Sequence, residues 1–175
     1  MNPASFISRR VVESIGFAKL LIKRWYITLP IVVGYGVVQH FLYVNITSSL
    51  PYTLVWLDYS ATPEKGDLVV YRYAGTPWPE YGYLDGVRFF KRVAGVEGDT
   101  VGVSAERVVT VGSTTIGYAK PKTKKGDSLE PIAEGVIPHG YFFAQADTPD
   151  SFDSRYRSSG LIPIDRVIGV AHPIF

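Results

Sequence analysis

Two periods of apolar residues divide the chain. From Tyr26 to Val44 the stretch YITLPIVVGYGVVQHFLYV carries no formally charged side chain. As a helix its 19 residues rise roughly 28 Å, close to the thickness of a hydrocarbon core. The pattern predicts one membrane-spanning helix over 26–44. Pro30 falls near its start, where a missing amide costs least, and Gly34 and Gly36 are better tolerated in membrane helices than in soluble ones. Trp25, Tyr26 and Tyr43 suit the interfacial belts, and Gln39 and His40 lie near the far end. Beyond Val44 the period shortens to two. DLVVYRYA, GVRFFKRVAG, TVGVSAERVVTVGSTTIGYA, GYFFAQAD and RVIGVAHPIF are short β-branched and aromatic runs separated by Gly, Pro and Asp. They predict a mainly β domain over 45–175. The connection AKPKTKKGDSLEPIAEGVIPHG fits neither period, and its lysines read as a solvated loop.

The segment before the span, SFISRRVVESIGFAKLLIKRW, spaces Ile7, Val11, Ile15, Ala18 and Ile22 helically among basic residues. Residues 1–25 therefore read as a basic amphipathic segment, either lying on the inner membrane surface or extending the same helix. Arg9, Arg10, Lys19, Lys23 and Arg24 precede the span, and no Lys or Arg follows it until Lys65. Basic residues are retained on the cytoplasmic side, so the N-terminus is expected inside and the β domain outside. No small-residue cleavage site follows Val44, which favours an uncleaved single-pass anchor.

Composition changes this picture little. A chain of 175 residues, 46% of them hydrophobic, suffices for one domain and an appendage. A net charge of +2 without a basic stripe argues against nucleic acid as a partner. The absence of cysteine excludes disulfides and a thiol nucleophile. Three histidines without paired spacing make a metal site or a Ser-His-Asp triad a poor reading, and no cofactor is implied.

One lysine changes it more. Along GVRFFKRVAG, alternation puts Val87, Phe89, Lys91 and Val93 on one face, so Lys91 lies among apolar neighbours. It is either an edge lysine with its ammonium in water or a buried amine whose charged form is disfavoured. A buried neutral amine is a general base, and a serine hydroxyl needs one. Small hydroxyls stand in NITSSLP, where the apolar run ends.

NITSSLP, GDLVVY, FFKRVAGVEGD and DSFDSRYRSSGLI, in that order, resemble the membrane-bound type I signal peptidases, most closely the TraF-like pilin-maturation peptidases of conjugative transfer. The resemblance covers Asn45 to the C-terminus. It implies a signal-peptidase-like β-rich catalytic domain in which Ser49 is the nucleophile and Lys91 the base, a Ser-Lys dyad. It further implies that the Ser151 hydroxyl orients the lysine and that Asp153 and Arg155 form a supporting ion pair. The oxyanion would be held by the Ser49 amide and the Thr47 hydroxyl, although Thr47 reads equally well as a turn residue satisfying its own backbone. Glu97 replaces a common proline of the family, and Tyr52-Thr53 follow the nucleophile's proline in place of the usual x-Gly. These departures bear on substrate fit rather than on the chemistry.

The resemblance implies a membrane-anchored serine endopeptidase of the bacterial inner membrane, with its catalytic domain periplasmic or otherwise extracytoplasmic. Its partners would be the lipid bilayer and an exported precursor or pilin, taken as an extended peptide. The acyl-enzyme would be resolved by water or by a peptide amine, the second outcome being ring closure. The alternatives are a general type I signal peptidase and a non-catalytic, membrane-anchored β domain of a secretion apparatus. The cytoplasmic self-cleaving Ser-Lys repressors are disfavoured by the apolar span and the lack of a DNA-binding segment.

Overall fold

The computed structural model describes residues 19, 22–47, 49–73 and 83–175. The chain divides into two compact units, Met1–Leu42 and Tyr43–Phe175. In the first, helix α1 spans Trp25–Phe41, and none of its residues is buried. Trp25, Ile31, Val32 and Tyr35 are each more than 60% exposed, an apolar surface on every side. The helix stops three residues short of the predicted span, because Leu42 turns to extended backbone and Leu42–Val44 form strand β1. Tyr43 packs against the core of the β unit, with its ring 6.1 Å from that of Phe90. Among the described residues, no helix is long and apolar enough to cross a membrane. The amphipathic segment expected over 1–25 falls almost wholly outside the described residues.

The β unit continues with β2 (Leu54–Asp58), β3 (Leu68–Arg72), β4 (Arg88–Gly95), β5 (Thr100–Val103), β6 (Val108–Val111), β7 (Thr114–Tyr118), β8 (Gly135–Val136), β9 (Tyr141–Gln145), β10 (Ile162–Pro163) and β11 (Val167–Pro173). They form a seven-stranded sheet in the order β1-β2-β11-β3-β4-β9-β10 and a four-stranded sheet in the order β7-β6-β5-β8. The C-terminal strand β11 pairs antiparallel with both β2 and β3, joining the segment after Ser49 to the strand that flanks Lys91. Val69 of β3 lies opposite Lys91 of β4, and β9 covers the other edge. Lys91 thus stands on an interior strand.

The predicted alternation of β4 holds. Phe89 and Val93 face one apolar cluster with Val69, Tyr71 and Phe142, whereas Phe90 faces another with Leu50, Val55 and Leu57. Gly95 ends the strand at a break in register, and there the size of the side chain decides the packing. A Cβ at this position would collide with Val111 Cγ1 and lie 2.9 Å from Ile137 Cδ1. Only a hydrogen lets the core of the smaller sheet, which includes Val101, Val109 and Val111, close against the end of β4.

Candidate functional site

Asn45 organises the segment that carries Ser49. It follows β1 and is 6% exposed. Its Nδ2 donates to the carbonyls of Leu50 and Tyr52 at 3.3 and 2.9 Å. Its Oδ1 accepts from the amide and hydroxyl of Thr47 at 3.0 and 2.7 Å. One short polar side chain thereby closes the loop from both ends, as Asx turns do. Leu50 is buried beside Val55 and Leu57 and fixes the loop on the apolar cluster below. The Asp147 amide donates to the Ser49 carbonyl at 3.0 Å, tying this loop to the segment after β9.

Lys91 meets Ser49 through a third residue. The amine is 5% exposed and lies 5.6 Å from the centre of the Phe89 ring. Its Nζ is 2.8 Å from Ser151 Oγ, and Ser151 Oγ is 3.3 Å from Ser49 Oγ. Burial lowers the Lys91 pKa to about 8; the Asp153 carboxylate opposes the shift, and the Arg155 guanidinium adds to it. At neutral pH, roughly one amine in ten is then uncharged. Ser151 is itself 8% exposed, so the contact between Lys91 and Ser151 is withdrawn from water, while Ser49 is half-buried at its outer end.

The turn bearing Ser151 is held by a buried ion pair. Asp153 is fully buried and Arg155 is 3% exposed. The guanidinium donates from Nε to Oδ1 at 2.8 Å and from Nη2 to Oδ2 at 2.9 Å. Two buried charges are tolerable only when their remaining hydrogen-bonding capacity is filled. Here Asp153 also accepts from the Ala146 and Arg155 amides, and Arg155 reaches the carbonyls of Thr148 and Ser151. Ser154 exchanges hydrogen bonds with Ala144 of β9, so the turn is pinned to the sheet beside β4.

Ser49, Lys91, Ser151, Asp153 and Arg155, distant in sequence, therefore converge. Thr47 makes no hydrogen bond to this chain of groups, and its hydroxyl donates to Asn45 Oδ1 instead. Asn45 is the organising residue that the sequence reading did not single out for a role; its signal was the Asn-x-Thr spacing at the exit from a strand. His139, an unremarkable position in the sequence, is 2.6 Å from Glu97 on the surface. Chemically, a hydroxyl connected to a largely dehydrated amine near neutrality is an arrangement from which that amine can accept a proton.

The profile of the family described as signal peptidase, peptidase S26 matches residues 9–175. The chain is 33% identical over 129 residues to signal peptidase I of Pseudomonas aeruginosa, an alignment covering 59% of this chain and 43% of that protein. It is 30% identical over 145 residues to the conjugal transfer protein TraF of Agrobacterium fabrum, covering 75% and 81% respectively. Among solved structures, a signal peptidase I from Enterococcus faecalis V583 matches with a TM-score of 0.39 and 21% identity, over 63% of this chain and 97% of that one. The chain thus spans less than half of the Pseudomonas enzyme and about four fifths of the TraF protein. With the family profile running from residue 9 to the last residue, the chain belongs to the signal peptidase, peptidase S26 family.

Proposed function

We propose that the protein is a membrane-anchored serine endopeptidase that processes exported precursors through a Ser49-Lys91 dyad. The observation that carries this reading is the unbroken contact from Ser49 through Ser151 to an amine whose burial lowers its pKa to about 8. Neutral Lys91 takes the Ser49 proton along the Ser151 hydroxyl that touches both. Ser49 Oγ bonds to the scissile carbonyl carbon, and that carbon's oxygen gains the negative charge. Among the described residues the Ser49 amide has no hydrogen-bond acceptor, which leaves it available to this oxyanion. Thr47 contributes only after leaving Asn45. When the C–N bond breaks, the departing amine takes the proton back from Lys91 and leaves an ester on Ser49. Water, or the amine of a peptide, then attacks the ester, gives its proton to Lys91 and restores the serine. Asp153 and Arg155 serve as positioning residues by fixing the turn that presents Ser151.

The anchor in this reading is α1 with its flanking residues. Its apolar, unburied surface supports this reading, in which residues beyond its ends complete the span. The basic residues before it support an N-terminus in the cytoplasm and a domain over 45–175 outside the bacterial inner membrane. The similarity to a conjugal transfer protein supports a pilin or another transfer protein as substrate.

The test compares the masses of small membrane and exported proteins from cells carrying the intact chain or Ser49→Ala. A precursor that accumulates only with the variant supports the peptidase, and a product lighter than the cleaved segment by one water identifies ring closure. If the variant supports the host process with every precursor still processed, the catalytic reading fails.

A further inference from the structure

A cavity of about 780 Å³ opens on the side of Ser151, bounded by that serine together with Phe89, Phe152 and Leu129. Its rim is a second lysine environment. Lys120, Lys122, Lys124 and Lys125 all line it and, among the described residues, Asp127 and Asp150 are the carboxylates that face them. The residues carrying these lysines are a fixed hairpin. Lys122 bridges Ser128, the Leu129 amide donates to the Pro121 carbonyl at 2.8 Å, and Thr123 and Asp127 close the tip. Its base is clamped by Arg107, whose guanidinium donates to the carbonyls of Ala119, Lys120 and Leu129. Arg107 holds a left-handed backbone (φ 63°) in the turn between β5 and β6, uncommon for a residue with a Cβ. Asp150 is engaged by both Lys120 and Lys124. Among the described residues, Lys122 and Lys125 have no carboxylate within salt-bridge distance, so there the rim carries two positive charges without an acidic partner.

We infer that this lysine-rimmed cavity binds acidic side chains of the polypeptide being processed, a few residues from the scissile bond. The inference rests on the peptidase reading. Ser151 is shared between the cavity wall and the contact chain to Ser49, and an extended peptide advances about 3.3 Å per residue. In this inference the peptide whose carbonyl reaches Ser49 runs past Ser151, so that residues a few positions along it meet the hairpin. The aromatic and aliphatic walls at Phe89, Phe152 and Leu129 accept the stem of a Glu side chain while the ammonium groups meet its carboxylate. The backbone of the rim is already held in shape, so binding orders the lysine side chains and not the hairpin itself.

The experiment uses the full chain in detergent and two labelled peptides with small residues before the scissile bond, alike except that one carries Glu and Asp where the other carries Gln and Asn. Binding is measured on Ser49→Ala by fluorescence anisotropy, with and without Lys122→Glu and Lys125→Glu; cleavage is measured on the parent. The inference expects the acidic peptide to bind about three- to tenfold more tightly at low salt. That preference should vanish in the double charge reversal and shrink at high ionic strength. Equal binding of the two peptides, with cleavage intact, overturns the inference and leaves the peptidase standing. Selective binding without cleavage of either peptide keeps the acidic-peptide site and sinks the peptidase reading. If the charge reversal abolishes binding to phosphatidylglycerol vesicles but leaves the peptide preference unchanged, the lysines serve lipid and the peptide assignment is overturned.

Discussion

Lys91 and the lysines of the hairpin carry the same ammonium group in opposite surroundings. Lys91 stands on an interior strand, 5% exposed, with a pKa lowered to about 8. Lys124 and its neighbours stand on a turn in water, where the Lys124 side chain is 82% exposed. The difference lies in what solvates the charge. Water stabilises each hairpin ammonium, whereas Lys91 has a serine hydroxyl, an aromatic ring and a carboxylate already claimed by Arg155. The first kind of lysine supplies fixed charge for recognition. The second can exist as a neutral amine and move a proton.

The sharpest way to break the comparison is Lys91→Arg. It keeps the positive charge and removes the titratable amine, so cleavage should fall on the order of 10²- to 10⁴-fold while the circular dichroism spectrum stays that of the parent. Cleavage by the parent should rise with pH and level off above about 8. Retained activity in Lys91→Arg would remove the base assignment.

Next in size is Asp153→Asn, which leaves a buried guanidinium without its counter-charge. Destabilisation of about 3–5 kcal/mol is expected, read from denaturant unfolding. A loss below about 1 kcal/mol, as for an exposed pair, would mean that water reaches Arg155.

The smallest predicted effect concerns the cost of burying Lys91, and its sign follows from linkage. The folded-state pKa of about 8 lies below the unfolded value near 10.5, so between these values the unfolded chain binds more protons and stability rises with pH. Below pH 8, the charged lysine costs about 3 kcal/mol relative to its neutral form. Lys91→Met should therefore raise the unfolding free energy at pH 7 by up to that amount, and the gain should disappear towards pH 10.5. Lys124→Met is the control, expected to leave the unfolding midpoint unchanged at either pH. A gain in Lys91→Met that is independent of pH would point to better packing rather than relief of a buried charge.

Several strands were legible because their residues alternate and their ends are marked by Gly, Pro or Asp. The runs LVVYR, RFFKRVAG and YFFAQ became β3, β4 and β9. The two-residue strands Gly135–Val136 and Ile162–Pro163 were not, because so short a segment has no period and exists only through its partner. The end of α1 was misplaced by three residues for a similar reason. Leu42–Val44 suit a helix in lipid and a strand equally well, and the packing of Tyr43 on the β core favours the strand.

The sequence by itself determined the mainly β class, the face of β4 that holds Lys91 and, through the order of its motifs, the family. The class and the face follow from local alternation, which needs no knowledge of distant neighbours, and the family follows from the resemblance its ordered motifs carry. Only the tertiary structure decided that Ser151 lies between Ser49 and Lys91, that Asn45 takes the Thr47 hydroxyl and that a second set of lysines borders the same serine. Those contacts join residues from 2 to 102 positions apart. The local pattern constrains which way a side chain points, but the position at which two loops meet depends on how every strand between them pairs.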